Sequence, residues 1–396
     1  MQGRGEFAAR ERVSQPAVLK RLSFRFSSAS ATSSSAVTDR IPSEMRAVVY
    51  RGIDDLRLET VPVPRIRSDE LLVRVAACGI CPTDIKKIHY GTVPPPRIFG
   101  HETAGTIARV GACVRGFRVG DRVALHHHVP CLDCHACRHH AFAQCATYKR
   151  TGITAGFEPA GGGFAEYVRV MSFVLPGVVK IPARNSFEEG ALLEPVNTVL
   201  KAVKRLALLP GDCVLVVGQG PIGLMFTRLL ALRGIRVLAT DLLPERLKLA
   251  REFSASRTLL PHGHDLADRV RRTTRGQGLD AAVIAAPSDE AVRQAQALVR
   301  GGGQVLLFAH THAGTPTGLD LSLVCAAEKD LIGSYSSDIT LQEEVARVVF
   351  SRRLDVRRLV THRFALAATP AAIRLAANPT PQALKVVVSS RGGENG

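Results

Sequence analysis

Tryptophan is absent from the 396 residues, and aromatic side chains make up only 5% of them. Proteins that grip single-stranded nucleic acid stack bases on aromatic rings set among basic residues. Their scarcity argues against that class, despite a formal charge of +17. The basic excess is scattered as isolated arginines and short doublets (Arg271-Arg272, Arg352-Arg353, Arg357-Arg358) and reads as a solvated surface with no nucleic-acid partner. Long apolar runs are also missing. Stretches such as Cys213 to Val217 and Ala281 to Ala286 have strand length, far short of the roughly 18 apolar residues of a membrane helix, so no membrane span is expected. Nine cysteines, an odd number with four in one short cluster, do not form the framework of a disulfide-stapled secreted fold. They point to a reducing compartment, the cytoplasm. No internal repeat is evident.

A chain this long, with 46% hydrophobic content, can bury more than one core, so two globular units are the default. Residues 1–44 are Arg-bearing, poor in acids and end in the Ser-rich stretch Ser27 to Ser35, the composition of a disordered leader. It also matches a mitochondrial transit peptide, which would make the protein mitochondrial. The simpler reading is an upstream-extended start, because Met45 opens the first strand-like run, Met45 to Tyr50. From 45 to 195, short β-branched runs (Leu71 to Ala76, Thr106 to Val110, Arg122 to Leu125, Phe164 to Val170) separated by Gly and Pro predict a β-rich domain.

From 196 to 338 strands alternate with helical segments: Val214 to Val217, Val237 to Asp241, Ala281 to Ala286 and Val305 to Ala309, with Ile222 to Arg233, Pro244 to Phe253 and Asp289 to Arg300 between them. Such alternation predicts an α/β domain with a parallel sheet covered on both faces. Residues 339–396 carry a helix, Leu341 to Phe350, and a strand, Leu384 to Val388, expected to return to the first domain.

Cys131, Cys134, Cys137 and Cys145 have the spacing C-x2-C-x2-C-x7-C and can supply four thiolates to one tetrahedral zinc. Four protein ligands leave no position for substrate, so this site is expected to be structural. The run Val214 to Val217 leads into Gly218-Gln219-Gly220-Pro221-Ile222-Gly223, a G-x-G-x-x-G between a strand and a helix. There the first glycine allows a tight turn, the second admits a pyrophosphate, and the helix N-terminus faces its charge. Asp241, 18 residues past Gly223, is placed to accept from a ribose 2′-hydroxyl and favours NAD over NADP. Arg246, a turn later, could serve a 2′-phosphate or lie on the surface.

Upstream, Cys78-Gly79-Ile80-Cys81-Pro82-Thr83-Asp84 and Gly100-His101-Glu102 supply a thiolate, an imidazole and carboxylates from separate segments. Scattered ligands, fewer than four strong ones, suit a catalytic zinc with an open position. Taken singly, Cys81 is a core cysteine and His101 a loop histidine.

With these motifs goes the run Val119-Gly120-Asp121-Arg122-Val123, and also Gly163-Phe164-Ala165-Glu166-Tyr167-Val168, all in one order. From Met45 to about Val388 the chain resembles the zinc-containing medium-chain dehydrogenases, the superfamily of alcohol, polyol and threonine dehydrogenases. The resemblance implies a GroES-like β-rich catalytic domain plus a Rossmann NAD-binding domain, two zincs per chain, and a homodimer or homotetramer paired near Leu331 to Ser334. It implies that Cys81 and His101 bind catalytic zinc and that Leu193-Glu194-Pro195 provides the third position. Alcohol dehydrogenases place a cysteine there; Glu194 resembles the polyol and threonine branches. Glu102 is either a ligand or a close neighbour of the metal, and Asp84 is placed to orient the His101 ring.

Thr83 is implied to pass the hydroxyl proton outward, with a local turn cap as its alternative role, and Thr198 to help seat the nicotinamide. Many relatives have a histidine three residues after this threonine, whereas this chain has Lys86. A lysine near its ordinary pKa of about 10.4 is a poor proton acceptor at neutral pH, so the outer relay is left to ribose hydroxyls, to water or to a lysine depressed by burial. His127 or His128 borders the substrate or ends a polar strand. The expected activity is hydride transfer from a secondary alcohol or polyol to NAD. The rivals are an L-threonine 3-dehydrogenase-like enzyme and a non-catalytic zinc- and nucleotide-binding protein.

Overall fold

Apart from its last position, every residue of Cys213–Val217 is buried, which requires cover on both faces of the strand. In the computed structural model it lies inside a six-stranded sheet, flanked by Arg236–Thr240 and Leu279–Ile284. The structure describes residues 41–126, 129–150, 161–261, 265–309, 316 and 318–389. From one edge the sheet runs Arg257–Leu259, Arg236–Thr240, Cys213–Val217, Leu279–Ile284, Val299–Leu307, Asp330–Gly333, and all neighbours are parallel. Alternation divides the side chains. Val214, Val216, Val237 and Val283 face one core; Cys213, Leu215, Leu238 and Ile284 face the other. Strand order reverses beside Cys213–Val217, the switch point where open α/β sheets bind ligands.

Residues 44 to 180 and the C-terminal strands build the β-rich lobe: a three-stranded antiparallel sheet around Glu44–Gly52, and a seven-stranded sheet around Leu71–Gly79 and Glu102–Val110. Lys385–Ser389 pairs antiparallel with Leu71–Gly79, through Val387 opposite Gly79, so the chain does return to its first lobe. The expected strands are present with ends shifted by a few residues. Val299–Leu307 starts six residues before the expected Val305, and Asp241 lies just past the end of Arg236–Thr240.

Of the elements that were not foreseen, two position the site. Pro82–Tyr90 is a helix although it follows a Cys-Pro pair, because proline is tolerated in the first turn and Cys81 caps it. Leu193–Lys204 is a helix that crosses the expected boundary at 195, and its buried face joins one apolar core with Ala77 and Ala104 of the β-rich lobe, Val214 of the parallel sheet and Leu224 of the helix Pro221–Ala231. No helix among the described residues is long and apolar enough to cross a membrane.

Candidate active site and metal centres

The four cysteines converge within one short loop. Sulfur to sulfur, Cys134 and Cys137 are 3.5 Å apart, Cys145 and Cys131 3.6 Å, and Cys131 and Cys137 4.0 Å. A tetrahedron with metal–sulfur bonds of about 2.3 Å has edges of about 3.8 Å, so the donor set fits zinc. Backbone N–H groups already point at the sulfurs, Cys134 N–H at Cys131 and Cys131 N–H at Cys145, both at 3.4 Å. Burial opposes ionisation of Cys145, but N–H groups of Cys131, Tyr148 and Thr147 pull its thiol down to about 6. That prepares a thiolate.

The second cluster joins distant segments. Cys81 ends the turn after Leu71–Gly79, and its sulfur accepts from Thr83 N–H at 3.5 Å. His101 and Glu102 open the neighbouring strand, and the donor atoms of Cys81, His101 and Glu102 all lie within 4.8 Å of one another. Nδ1 of buried His101 donates to Oδ1 of fully buried Asp84 at 3.1 Å, leaving Nε2 for the cluster. Burial opposes charge on His101, yet Asp84 and Cys81 outweigh it and hold the imidazole well above its ordinary value. The surroundings thus favour positive charge.

Glu102 is 1% exposed, and its Oε2 has no hydrogen-bond partner among the described residues. A buried carboxylate oxygen without a donor is costly, and a cation among sulfur, nitrogen and oxygen would satisfy it. Gly79 makes the room: a Cβ there would stand 2.0 Å from Oε2. Burial pushes the Glu102 carboxyl up to about 7, opposed by Lys385 and reinforced by Glu194. Glu194, 5% exposed in the first turn of Leu193–Lys204, is outside the ligand-distance cluster; Glu102 is inside it. Cys78 is a core residue, its thiol pushed up by burial.

The glycine turn has the geometry of a pyrophosphate cradle. Gly218 takes φ 88°, Gly220 precedes the helix Pro221–Ala231, and a Cβ on Gly223 would stand 1.7 Å from the Gly218 carbonyl oxygen. Pro221 occupies the first turn and Ile222 packs partly buried against the core. Asp241 accepts from Gln219 N–H at 2.6 Å and Leu243 N–H at 2.9 Å, so it fastens the turn to the adjacent strand. Arg246 Nη1 stands 3.9 Å from Asp241 Oδ2, and its buried Nε has no partner among the described residues.

Other expected residues are less engaged. Thr83 is half-buried in the first turn of Pro82–Tyr90; Lys86, one turn on, is lowered by burial, which Cys81 opposes. Thr198 donates its hydroxyl to the Pro195 carbonyl at 2.8 Å. His127 and His128 lie outside the described residues; their neighbour His126 is buried with Nε2 3.3 Å from Ser337 Oγ.

The family model for the alcohol dehydrogenase GroES-like domain matches residues 67–183, and that for zinc-binding dehydrogenases matches residues 221–351. Sorbitol dehydrogenase of Bacillus subtilis is 32% identical over 89% of this chain and 99% of its own. The chain belongs to the zinc-containing medium-chain dehydrogenases. Erythritol/L-threitol dehydrogenase of Mycolicibacterium smegmatis is 30% identical over 83% of this chain and 93% of its own, which places the dehydrogenase in the polyol branch. A zinc-binding dehydrogenase structure from Sinorhizobium meliloti, with NADP bound, superposes with TM-score 0.80 at 27% identity, covering 88% of this chain and all of that one.

Lys385 escaped the sequence reading. It donates to Glu102 Oε1 at 2.5 Å and to the Ile80 carbonyl at 2.8 Å while only 5% exposed. Its signal was a lone lysine at the start of the apolar run Leu384 to Val388.

Proposed function

We propose that the enzyme oxidises a secondary hydroxyl of a polyol to the ketone, reversibly, with NAD as hydride acceptor and a zinc held by Cys81, His101 and Glu102. The observation that carries this reading is the sulfur–nitrogen–oxygen cluster, in which His101 and Glu102 are buried and one Glu102 oxygen has no hydrogen-bond partner among the described residues. When bound, the zinc supplies Lewis acidity to the hydroxyl and NAD accepts the hydride. Asp84 fixes the His101 ring, and Lys385 holds Glu102 by one oxygen so that the other is directed to the metal. Glu194, outside that cluster, is a second carboxylate whose charge reaches Glu102. Thr83, two residues past Cys81, relays the hydroxyl proton outward, giving up its own as it accepts, and Lys86 follows one turn on.

Asp241 favours NAD through the ribose, since a carboxylate repels a 2′-phosphate. Cys131, Cys134, Cys137 and Cys145 hold a second, structural zinc. The edge strand Asp330–Gly333 pairs with its counterpart in a second copy to form a homodimer, the unit of any tetramer. All nine cysteines are outside disulfides, which suits the cytoplasm. A panel of sorbitol, xylitol, erythritol, 2-butanol and L-threonine, followed by NADH absorbance with NAD and NADP in parallel, tests the reading. Polyols should have the highest kcat/KM; preference for L-threonine would replace it with the amino-acid branch.

A further inference from the structure

Gln219 stands between two glycines, at a position where the G-x-G-x-x-G pattern asks for no particular side chain. It is nevertheless fully buried. A buried amide is costly unless both its ends are bonded, and here both are: Nε2 donates to the Val216 carbonyl at 3.0 Å, and Oε1 accepts from the Thr227 hydroxyl at 2.9 Å. The residue's own N–H is the donor to Asp241 Oδ2 at 2.6 Å. One residue therefore ties together the strand Cys213–Val217, the helix Pro221–Ala231 and the end of the strand Arg236–Thr240.

Thr227, in the middle of that helix, is equally buried. A threonine inside a helix commonly turns its hydroxyl back on the carbonyl four residues before it, whereas this hydroxyl is given to the turn. The bond has a physical use. Glycines leave the backbone of the turn with few constraints of its own, so a side chain has to supply them. Leu224 N–H opens the helical ladder at the Gly220 carbonyl, 2.9 Å away, and the N–H groups of Ile222 and Gly223 ahead of it are left for an anion. Donors fixed before a ligand arrives cost less ordering when it binds.

We propose that Gln219 is a positioning residue of the cofactor site: through Val216 and Thr227 its side-chain amide sets the turn 218–223 in advance for the pyrophosphate of the dinucleotide. The inference rests on the dehydrogenase reading above. Asp241 is held by the Gln219 main chain and the turn by its side chain, so substitution separates the two.

The test uses wild type, Gln219→Met, which keeps the length of the side chain and removes both its bonds, Thr227→Val and Thr227→Ser. Binding is read without turnover, by titration of NADH fluorescence, with ADP-ribose and adenosine as competitors. One neutral hydrogen bond corresponds to about five- to tenfold in affinity. The Kd of NADH and of ADP-ribose should rise by that factor in Gln219→Met, while adenosine, which lacks the pyrophosphate, binds as to wild type. Thr227→Val should shift the same two ligands, and Thr227→Ser, which keeps the hydroxyl, should restore them; this pair decides the matter if Gln219→Met does not fold. In turnover the KM for NAD should rise with kcat and the KM for xylitol near wild type. Unshifted ADP-ribose binding, or an equal shift with adenosine, overturns the inference. Failure of the wild type to oxidise any polyol is a separate result and removes only the polyol reading.

Discussion

The two cysteine-bearing regions of this molecule solve opposite problems. In the four-cysteine lobe every donor comes from residues 131–145, all are thiols, and nearby N–H groups favour the thiolates of Cys131 and Cys145. In the Cys81 cluster the donors are three different chemical types from segments 20 residues apart, supported by Asp84, by Gly79 and by Lys385 from the far end of the chain. The first is closed and complete, as a structural centre needs. The second holds a buried carboxylate oxygen without a donor, a cost that makes sense where a metal and a substrate must share the space.

Breaking the second region should have the largest effect. Loss of a hydrogen bond to a metal ligand typically costs about 10–100-fold, so Cys81→Ser, which removes a ligand, should lower kcat/KM by at least about 100-fold in the NADH assay with folding intact. Lys385→Ala should come next. It strands Glu102 without its buried partner, at a cost of about 3–5 kcal/mol by urea unfolding. Cys134→Ser sharpens the contrast from the other side: Tm should fall, and the enzyme that remains folded should keep kcat/KM near wild type.

The smallest effect belongs to a carboxylate remote from both clusters. Glu189 closes a capping box with Ser186 and accepts from Arg352 at 3.0 Å. Burial would raise its carboxyl, but Arg352, Ser186 and Asn185 together hold it below the ordinary carboxylate value. A lowered folded pKa stabilises above the unfolded value near 4.5, and this is lost as pH falls through the folded value. Glu189→Gln should therefore cost about 1–2 kcal/mol at pH 7 and progressively less below about pH 4.5, read from urea unfolding at several pH values.

Legibility in the sequence followed the reach of each feature. The cysteine lobe and the glycine turn are local, and their spacing alone carries the chemistry; the structure adds the sulfur distances and the Gly218 φ. Strand and helix alternation gave the parallel sheet because each face is buried with period two. Tertiary convergence was not legible. Glu102 and Glu194 could not be told apart until folding put one within ligand distance of Cys81 and His101 and left the other outside that group. Lys385 and Tyr148 reach partners 283 and 188 residues away, and no spacing rule spans such gaps.

The division of labour between the two regions reduces to a zinc count taken with turnover. Wild type should carry two zincs per chain; purified, folded Cys81→Ser should carry one and produce no NADH from xylitol. Two zincs retained in Cys81→Ser, or one zinc with undiminished turnover, would contradict the assignment of the catalytic metal to Cys81, His101 and Glu102.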